Sequence, residues 1–417
     1  MENTKQKILE IRTKIAATKP IFAKKQFLET SLALNILSRE KELERAIQYL
    51  TPYNGCGLPF IQVVGKSGTG KSTIIELVCQ SLTDVVCYSF VNLRKAGTHF
   101  GCANLILSNL GCQPVKSSEG IHVAIGNIEK RICKILKKKK RANFILVLDE
   151  FDAIFSDRRA KSSEFVYKLL DMVSNVRKRG FELCIVSISN TRFDKYFLEE
   201  RVRSRMGEYQ IYFPPYKKDE LLQILRARAD EAFANKVSEE VLEECAYLCS
   251  NEDGDCRRAL QLLQLAGESS DGQSLTVSDV KLASKKLDED YLEEVIKTAT
   301  PHQRLLLFAM ARLYLIDEKE EHSTQEIFST YEGLNSSIKK KLEYRRVFDL
   351  LDELENMGIV ISKTRSSGRG GYQKFHRLTM HFSLVGCLIN KEIWCEHRDQ
   401  VAETKRFFAR GNNLEEK

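Results

Sequence analysis

One segment of eight residues constrains this chain more than any other feature. Residues 65–72 read Gly-Lys-Ser-Gly-Thr-Gly-Lys-Ser and match G-x-x-x-x-G-K-[ST] at every fixed position. An apolar run, Phe60–Val64, precedes them, and helical sequence begins near Lys71. In this order of strand, glycine-rich loop and helix, backbone N–H groups and the helix N-terminus surround phosphates. The segment therefore predicts an α/β sheet whose first loop binds a nucleotide.

Short apolar runs alternate with amphipathic segments through the first half of the chain. One segment repeats isoleucine at steps of four and three residues from Ile121 to Ile135, which gives a single apolar stripe toward a sheet. Alternating strands and helices are typical of a parallel sheet covered by helices. The further predicted strands are Val86–Asn92, Phe144–Leu148, Cys184–Ser189 and Gln210–Phe213.

Pro214 and Pro215 end this pattern, because consecutive prolines extend neither a helix nor a central strand. No strand pattern follows before Pro301. The sequence instead predicts a small helical domain, with helices near Lys218–Phe233, Glu239–Ser250, Asp255–Glu268 and Ser278–Leu287.

The phosphate loop supplies most of the predicted nucleotide contacts. Lys71 is expected to reach the β- and γ-phosphates, and the Ser72 hydroxyl is expected to bind Mg²⁺. The loop residues predicted to bind the nucleotide, ATP or ADP, are Gly65, Lys66, Ser67, Gly68, Thr69, Gly70, Lys71, Ser72 and Thr73.

Three further segments carry candidate catalytic residues. Asp149 and Glu150 end an apolar strand, where Asp149 would bind Mg²⁺ and Glu150 would polarise a water molecule. Asn190 ends the next strand and would position that water, although an asparagine there also starts turns. Arg257 follows a predicted N-cap, Asp255, and its charge opposes the helix dipole unless it meets an anion. A γ-phosphate is that anion in our interpretation; a solvated arginine is the alternative.

The last third of the chain predicts a helix-turn-helix followed by a β-hairpin. Gln303–Tyr314 is apolar at helical spacing, and residues 323–326 have the pattern of a helix start. A third helix, Glu343–Met357, carries an apolar stripe of Val347, Leu350, Leu351, Leu354 and Met357. Gly358 ends it, and β runs Ile359–Lys363 and Tyr372–Leu378 flank a glycine-rich tip. We call residues 360–378 the wing.

The charge of this region predicts a DNA-binding surface. Residues 362–378 contain five Lys or Arg and no Asp or Glu. Cations neutralise phosphates, glycines permit close approach, and a recognition helix reads bases mainly with its N-terminal residues. A winged helix that docks a protein is the alternative. The predicted DNA-binding residues are Tyr344, Arg345, Arg346, Lys363, Arg365, Arg369, Gly370 and Lys374; Arg377 completes the five cations.

Composition limits the remaining possibilities. The hydrophobic fraction of 43% excludes a disordered chain, and the net charge of +8 permits an anionic partner without requiring one. No run approaches the length of a membrane span, and the N-terminus lacks the apolar core of a secretory signal. We therefore expect a cytoplasmic, nucleoid-associated protein without a membrane partner. Its 12 cysteines form no C-x-x-C, so structural zinc is not expected.

Taken in order, these motifs resemble those of archaeal replication initiators of the AAA+ ATPase class. That family is related to the first subunit of the origin recognition complex and to the eukaryotic cell-division-control ATPase that loads the helicase. The resemblance extends over about residues 25–380. The stretches that carry it are Leu37–Glu40, Gly65–Ser72, Asp149–Asp152, Glu200–Arg205, Phe213–Tyr216, Gly254–Leu260, Tyr344–Val347 and Gly358-Ile359.

The resemblance implies an α/β AAA+ parallel-sheet core with a helical lid, followed by an α+β winged-helix domain. It also implies that Arg39 and Tyr216 border the adenine, and that Arg203 or Arg205 senses a neighbouring subunit's nucleotide; surface charge is the alternative for both arginines. Residues 92–111, with Arg94, Lys95 and His99, lie where the family touches DNA but fit core packing equally well.

The resulting expectation is an ATP-dependent initiator that binds origin duplex DNA and helps recruit or load an MCM-type replicative helicase. ATP binding and slow hydrolysis would act as a conformational switch, and other initiator subunits are expected partners. The alternatives are a signalling or transposition-type ATPase whose winged helix docks a protein, and a subunit that binds ATP without hydrolysing it. The expected domains are an N-terminal extension (1–24), core (25–215), lid (216–299), winged helix (300–396) and polar tail (397–417).

Overall fold

The computed structural model describes residues 21–29, 37–52, 58–157, 161–192, 199–270, 274–334, 342–366 and 372–389. The chain divides into two compact units, Met1–Ala283 and Ser284–Lys417, and each is considered by itself. Within the described ranges, no helix combines the length and apolar character needed to cross a membrane.

The first unit is built on a five-stranded parallel sheet in the order β2-β3-β4-β1-β5. β1 lies between β4 and β5, so the phosphate loop that follows it stands at the carboxyl edge of the sheet, beside the end of β4. Two predicted strands have the expected bounds, and the other three are one or two residues longer. The strands are β1 (Phe60–Gly65), β2 (Val86–Asn92), β3 (Asn143–Asp149), β4 (Glu182–Ser189) and β5 (Gln210–Phe213).

Helices cover both faces of this sheet. The predicted isoleucine stripe is confirmed, since Ile125, Ile128 and Ile132 are buried against the sheet. The opposite face packs on α2, through residues such as Ile75 and Val78. The helices are α1 (Glu40–Leu50), α2 (Lys71–Ser81), α3 (His99–Asn109), α4 (Ile121–Lys139), α5 (Ser162–Lys178) and α6 (Glu200–Met206).

The helical domain predicted after Pro215 forms the lid. Residues 21–29 pack on it, with Phe22 bridging Phe233 in antiparallel fashion and Leu28 buried. The fourth helix is longer than expected and runs without a break from the first unit into the second. The lid helices are α7 (Lys218–Ala232), α8 (Glu239–Glu252), α9 (Cys256–Ser269) and α10 (Val277–Thr298).

The second unit is a winged helix. A short strand that the sequence did not predict joins the hairpin in a sheet of order β6-β8-β7. The start of α12 has the predicted cap, because Ser323 Oγ accepts from the N–H of Glu326 at 3.2 Å. The elements are α11 (Pro301–Asp317), β6 (His322–Ser323), α12 (Thr324–Leu334), α13 (Tyr344–Asn356), β7 (Val360–Ser366), β8 (Tyr372–Leu378) and α14 (382–389).

Two details of the predicted winged helix were wrong. The stripe of α13 is buried from Val347 to Leu354, but Met357 is 39% exposed because it follows the last helical turn. The first β run extends to Ser366 rather than Lys363, since pairing with β8 continues to Tyr372. The described part of α14 is 382–389, and the residues after 389 lie outside the described ranges.

One histidine ties the winged-helix sheet together. His376 is fully buried; its Nε2 lies 2.9 Å from Thr324 Oγ1 and its Nδ1 lies 2.9 Å from Ser362 Oγ. Burial lowers the pKa of His376 to about 4, and the Lys374 ammonium acts in the same direction against Glu355 and Asp352. The folded winged helix therefore keeps this imidazole neutral.

We expect this histidine to make the winged helix less stable in acid. The pKa of His376 is lower in the folded state than in the unfolded state. The winged helix therefore has its full free energy of unfolding above about pH 6.5, and this free energy falls as the pH drops toward about 4. The loss between pH 7.5 and 5 should be about 2 kcal/mol. Urea unfolding followed by near-ultraviolet circular dichroism measures it, and a His376→Gln variant should lack this part of the pH dependence. An identical slope in that variant would contradict the assignment.

Candidate functional site

The phosphate loop has the backbone that its glycines predict. Gly68 and Gly70 adopt φ angles of +66° and +88°, in the left-handed region that favours glycine. A Cβ on Gly68 would lie 1.7 Å from Asp255 Oδ1, and one on Gly65 would lie 2.3 Å from the Phe213 carbonyl oxygen. Thr69 Oγ1 donates to the Lys66 carbonyl at 2.8 Å, which closes the turn. Ser67 and Thr73 line the same cavity as the loop glycines.

Lys71 is folded into its own loop. Its ammonium donates to the carbonyl oxygens of Gly65 at 2.7 Å and Lys66 at 2.6 Å, and to Asn190 Oδ1 at 3.1 Å. Burial lowers the pKa of Lys71, although the carboxylates of Asp149 and Glu150 act in the opposite direction. This lysine thus joins the loop to the end of β4, where the sequence places the candidate amide.

Oxygen groups gather where the sequence predicts a magnesium site. Ser72 Oγ donates to Asp149 Oδ1 at 3.1 Å, and the amide of Asn92 donates to Asp149 Oδ2 at 3.1 Å. A hydroxyl and a carboxylate are the hard oxygen donors that Mg²⁺ prefers, so these two residues fit the ion. Asn92 was not predicted for this role; it ends β2, which lies beside β3.

A second carboxylate holds the candidate amide in place. Glu150 follows Asp149 in a left-handed conformation with φ of +53° and begins a short helical turn, Phe151–Ser156. In that turn, Asp152 Oδ2 accepts the backbone N–H of Asn190 at 2.6 Å. The ends of β3 and β4 are thereby joined beside the phosphate loop. Sequence reasoning grouped Asp152 with the motif but assigned it no contact.

Arg39 and Tyr216 form a buried wall on the other side of the loop. The Arg39 guanidinium lies 3.8 Å from the centre of the Tyr216 ring and is only 2% exposed. It donates to the carbonyl oxygens of Thr69 at 3.3 Å and Pro214 at 2.5 Å. Burial raises the pKa of Tyr216 to about 12, despite the opposing charge of Arg39. The two residues join the phosphate loop to the chain that enters the lid.

The lid reaches the loop through the N-terminus of α9. Asp255 accepts the N–H groups of Arg257 at 2.7 Å and Arg258 at 3.3 Å, which confirms it as the N-cap. The N–H of Cys256 donates to the Gly68 carbonyl at 3.2 Å, and Lys66 forms an ion pair with Asp253 at 2.5 Å. Arg257 is exposed at the cavity wall, and its guanidinium makes no hydrogen bond within the described chain.

Many of these groups line one cavity of about 370 Å³, among them the loop from Ser67 to Thr73, Asp149, Glu150, Asn190, Tyr216 and Arg257. Every described nucleotide-site residue predicted from the sequence lies on or beside it. Part of its remaining wall comes from α7, where no sequence motif stands out, and from Leu37, which belongs to a stretch that carries the resemblance but was assigned no contact. These additional lining residues are Leu37, Ile224, Ala227, Arg228, Asp230 and Glu231.

The wing cations are paired with acids, contrary to expectation. Lys374 was predicted to bind DNA, but its ammonium lies 2.5 Å from Asp352 and 2.8 Å from Glu355 of α13. Arg365 and Lys363 both meet Glu321, at 2.5 Å and 3.7 Å. The prediction looked only at residues 362–378, and all of these acids precede that window in the sequence. Arg369 and Gly370 lie outside the described residues.

The N-terminal residues of α13 are more accessible. Tyr344 and Arg345 are exposed, and Arg345 makes no ion pair with any residue of the described ranges. Arg346 is also exposed but lies 3.3 Å from Glu353 and 3.7 Å from Asp349. Of the predicted DNA-binding residues that the structure describes, Arg345 has the freest charge.

Comparison with known proteins agrees with this architecture. Family models match the AAA class (ATPase family associated with various cellular activities) over residues 61–214, the Cdc6 AAA+ ATPase-type lid over 222–284, and the CDC6 C-terminal winged helix over 294–385. The ORC1-type DNA replication protein of Thermococcus kodakarensis is 32% identical over 381 residues, which cover 86% of this chain and 88% of that protein. The chain belongs to this family.

A second curated protein and a solved structure resemble this chain to a similar degree. The ORC1-type DNA replication protein 1 of Aeropyrum pernix is 32% identical over 365 residues, covering 84% of this chain and 90% of that one. The structure of the Aeropyrum pernix ORC1 protein in complex with DNA aligns with a TM-score of 0.71 and 29% identity, over 91% of this chain and 99% of that one. The present chain is accordingly a DNA replication initiator with an AAA+ ATPase domain that binds nucleotide.

The resemblance assigned α6 to a neighbouring subunit and residues 92–111 to DNA, and the side chains of these two regions differ in exposure. Arg203 and Arg205 are exposed on α6, and the Arg205 guanidinium lies 4.6 Å from the centre of the Tyr167 ring. In the 92–111 segment of this ORC1-type protein, Arg94 and Lys95 are exposed, but His99 is 4% exposed and its Nε2 lies 2.7 Å from the Ile154 carbonyl. His99 therefore packs in the core and is not available to DNA.

We expect Gly68→Ala to separate the lid from the loop. The new Cβ meets the Asp255 carboxylate, and left-handed backbone costs a residue with a side chain about 1–2 kcal/mol. With a weakened N-cap, ATP affinity should fall roughly tenfold to hundredfold. Fluorescence titration with a labelled ATP analogue measures it. Gly126→Ala, at a helical position with nothing within 4 Å, is the matched control and should bind ATP normally. Equal affinity of the two variants would contradict the contact.

Proposed function

We propose that this chain is an ATP-dependent initiator that binds origin duplex DNA and helps recruit or load an MCM-type replicative helicase. The observation that carries the proposal is the junction of lid and loop, where Asp255 and Cys256 contact Gly68 beside the exposed Arg257. A nucleotide bound in that cavity contacts the sheet, the phosphate loop and the lid at the same time. Losing its γ-phosphate would therefore remove contacts that hold the lid against the loop. ATP acts as a switch on this account.

The hydrolytic roles follow from the positions around the cavity. Lys71 binds the β- and γ-phosphates, and Asn190 and Arg257 bind the γ-phosphate from the core and from the lid. Ser72 and Asp149 hold Mg²⁺, which supplies charge neutralisation for the phosphates. Glu150 accepts the proton of the attacking water, and Asp152 and Asn92 keep Asn190 and Asp149 in position. Slow turnover suits a switch better than a motor.

The remaining cavity wall suits adenosine. Leu37, Ile224 and Ala227 provide an apolar surface for the base, next to the buried pair of Arg39 and Tyr216. Ligand sites in proteins are mostly apolar with a few fixed polar groups, and this wall has that character. The adenine therefore lies between the segment before α1 and the lid helix α7.

Glu150→Gln should abolish hydrolysis and spare binding. A general base contributes about 10²–10⁴-fold to the rate, so single-turnover hydrolysis should fall by at least roughly a hundredfold. ATP affinity should change little, because glutamine keeps the size of the side chain. Rapid-quench assays with radiolabelled ATP measure the rate. Glu76→Gln, an exposed position on α2, is the control, and a Glu150→Gln rate equal to that control would refute the assignment.

The proposed DNA surface is centred on the N-terminus of α13. Tyr344, Arg345 and Arg346 contact the duplex there, and Lys363 and Arg365 approach phosphates from the wing. The support is the exposure of these side chains, together with the DNA complex of the related Aeropyrum pernix ORC1 protein. Lys374 is withdrawn from this surface, because two carboxylates already bind its ammonium.

One observation favours a second function for the winged helix. The ion pairs of the wing leave less free positive charge than the sequence indicated, and this suits a surface that docks a protein. Gel shifts on origin and random duplexes separate the two functions. Absence of any shift at low salt would favour protein docking.

Partner proteins complete the proposal. The exposed Arg203 and Arg205 provide charges that reach a nucleotide held by an adjacent initiator subunit. The protein acts in the cytoplasm on nucleoid DNA, where the helicase is recruited. Footprinting on genomic DNA with and without ATP tests where it binds and whether ATP changes the contact.

Replacing Arg345 should weaken duplex binding. Arg345→Gln removes an exposed cation that has no ion pair within the described ranges, and such contacts contribute about 1–3 kcal/mol, or roughly fivefold to hundredfold in affinity. Filter binding of an origin duplex measures it. Lys297→Gln, on α10 of the same unit, makes the same change of net charge and should have little effect. If both variants bind like the wild type, α13 does not carry the contact.

A further inference from the structure

Acids from outside the wing neutralise its two faces separately. Side chains alternate between the faces of a hairpin, so Lys363, Arg365 and Arg377 share one face and Lys374 lies on the other. The first face meets Glu320 and Glu321, which precede β6. The second face meets Asp352 and Glu355 of α13. We call Glu320 and Glu321 the acidic pair.

The Lys374 cluster has the features of a structural contact. Its side chain is 21% exposed, and its ammonium lies 5.3 Å from the centre of the Phe348 ring. Burial would raise the pKa of Glu355, but hydrogen bonds from Lys374 and Ser362 outweigh it and lower that pKa. These contacts join the hairpin to α13, and two carboxylates already bind this largely covered ammonium.

The acidic pair has the opposite character. Arg365 and Lys363 are more than half exposed, yet both rest on the single carboxylate of Glu321, one on each oxygen. Arg377 lies 3.8 Å from Glu320, which is itself 70% exposed. Three cations thus share two acids; Glu321 itself is only 23% exposed, but the Lys363 and Arg365 side chains bound to it are 58% and 57% exposed, so an external anion can approach them.

We infer that the acidic pair is a built-in counter-ion of the wing, which DNA phosphates must displace from Lys363 and Arg365 before they bind. The inference rests on the proposed DNA-binding function and adds its regulation. The wing has low affinity for any duplex until a phosphate is placed well enough to compete with Glu321. Contacts made by α13 can supply that placement, so the acidic pair favours specific over non-specific sites.

The inference can be recognised from the salt dependence of DNA affinity, because that dependence reports how many ions are released on binding. Each phosphate that a protein cation neutralises releases salt cations condensed on the DNA, which adds about 0.9 to the magnitude of the slope of log affinity against log salt. When the phosphate must first displace a tethered carboxylate, that carboxylate takes up salt cations in turn, so the net release is smaller. Removing the carboxylate should therefore increase both the affinity at low salt and the steepness of the salt dependence.

Simple stabilisation of the fold explains the acidic pair less well. Exposed ion pairs contribute about 0–1 kcal/mol, so these contacts do little to hold the hairpin. The hairpin already has seven registered pairs between β7 and β8, and the buried His376 bridges two elements next to it. The geometry instead places the acids where they compete with an external anion.

The experiment is filter binding of origin and random duplexes by the full-length protein between 50 and 200 mM salt, the range over which phosphate contacts change affinity by about 10³–10⁵. Glu321→Gln should bind both duplexes about threefold to thirtyfold more tightly at low salt, with the larger gain on random DNA. Its salt slope should steepen by about one to two units. Glu294→Gln, an exposed acid on α10 of the same unit, changes net charge equally and should leave the slope unchanged.

A second set of variants tests whether Glu321 acts through Lys363 and Arg365. In a protein that already carries Lys363→Gln and Arg365→Gln, adding Glu321→Gln should not increase the affinity for duplex DNA. If Glu321 acted only through the net charge of the protein, the increase would remain. If Glu321→Gln disturbs folding, Glu320→Gln serves in its place in the wild-type background, with a smaller expected gain because it releases only Arg377. A wild type that binds duplex, with Glu321→Gln equal to Glu294→Gln, overturns the inference and leaves the proposed function intact. A wild type that binds no duplex overturns the proposed function itself.

Discussion

The lid of this protein meets its phosphate loop through the contact of the Asp255 carboxylate with Gly68. The same carboxylate caps α9, so the helix start and the loop are fixed by one side chain. Only a residue without a Cβ fits at position 68, because a Cβ would lie 1.7 Å from the carboxylate oxygen. Arg257 depends on this contact, since it follows the cap by two residues and reaches the cavity only while α9 stays in place. The phosphate loop between β1 and α2 thereby fixes the position of the lid helix α9.

The charges of this protein fall into two classes with different roles. Lys71 and Arg39 are buried, and carbonyl oxygens of the phosphate loop accept hydrogen bonds from both side chains. The wing cations are exposed and bound by acids of the same unit. Buried polar groups need partners because water cannot reach them, whereas exposed ion pairs exchange with solvent and ligands at low cost. The nucleotide site is therefore preorganised, and the wing is adjustable.

Much of the fold was predictable because it depends on local patterns. The phosphate loop, the alternating strands and the cap at Asp255 each lie within a few residues, and all were confirmed with small changes of bounds. The short β6 was missed, since two residues carry no periodicity. Met357 was placed in the core because helical spacing continues past the point where Gly358 ends the helix. Asn92 was missed because its role arises only when β2 and β3 lie side by side.

By itself, the sequence determined the glycines that a tight phosphate loop needs, the order of strands and helices, and the location of the cations in the wing. These features follow from backbone sterics and hydrophobic periodicity, which act over one turn or one strand. Tertiary structure alone decided which charges are free. Glu321 is too far from Arg365 in the sequence for a local pattern to connect them. Asp352 and Glu355 reach Lys374 only because the hairpin folds against α13. Charge acts through space, so the sequence can count cations but cannot show which of them already has a partner.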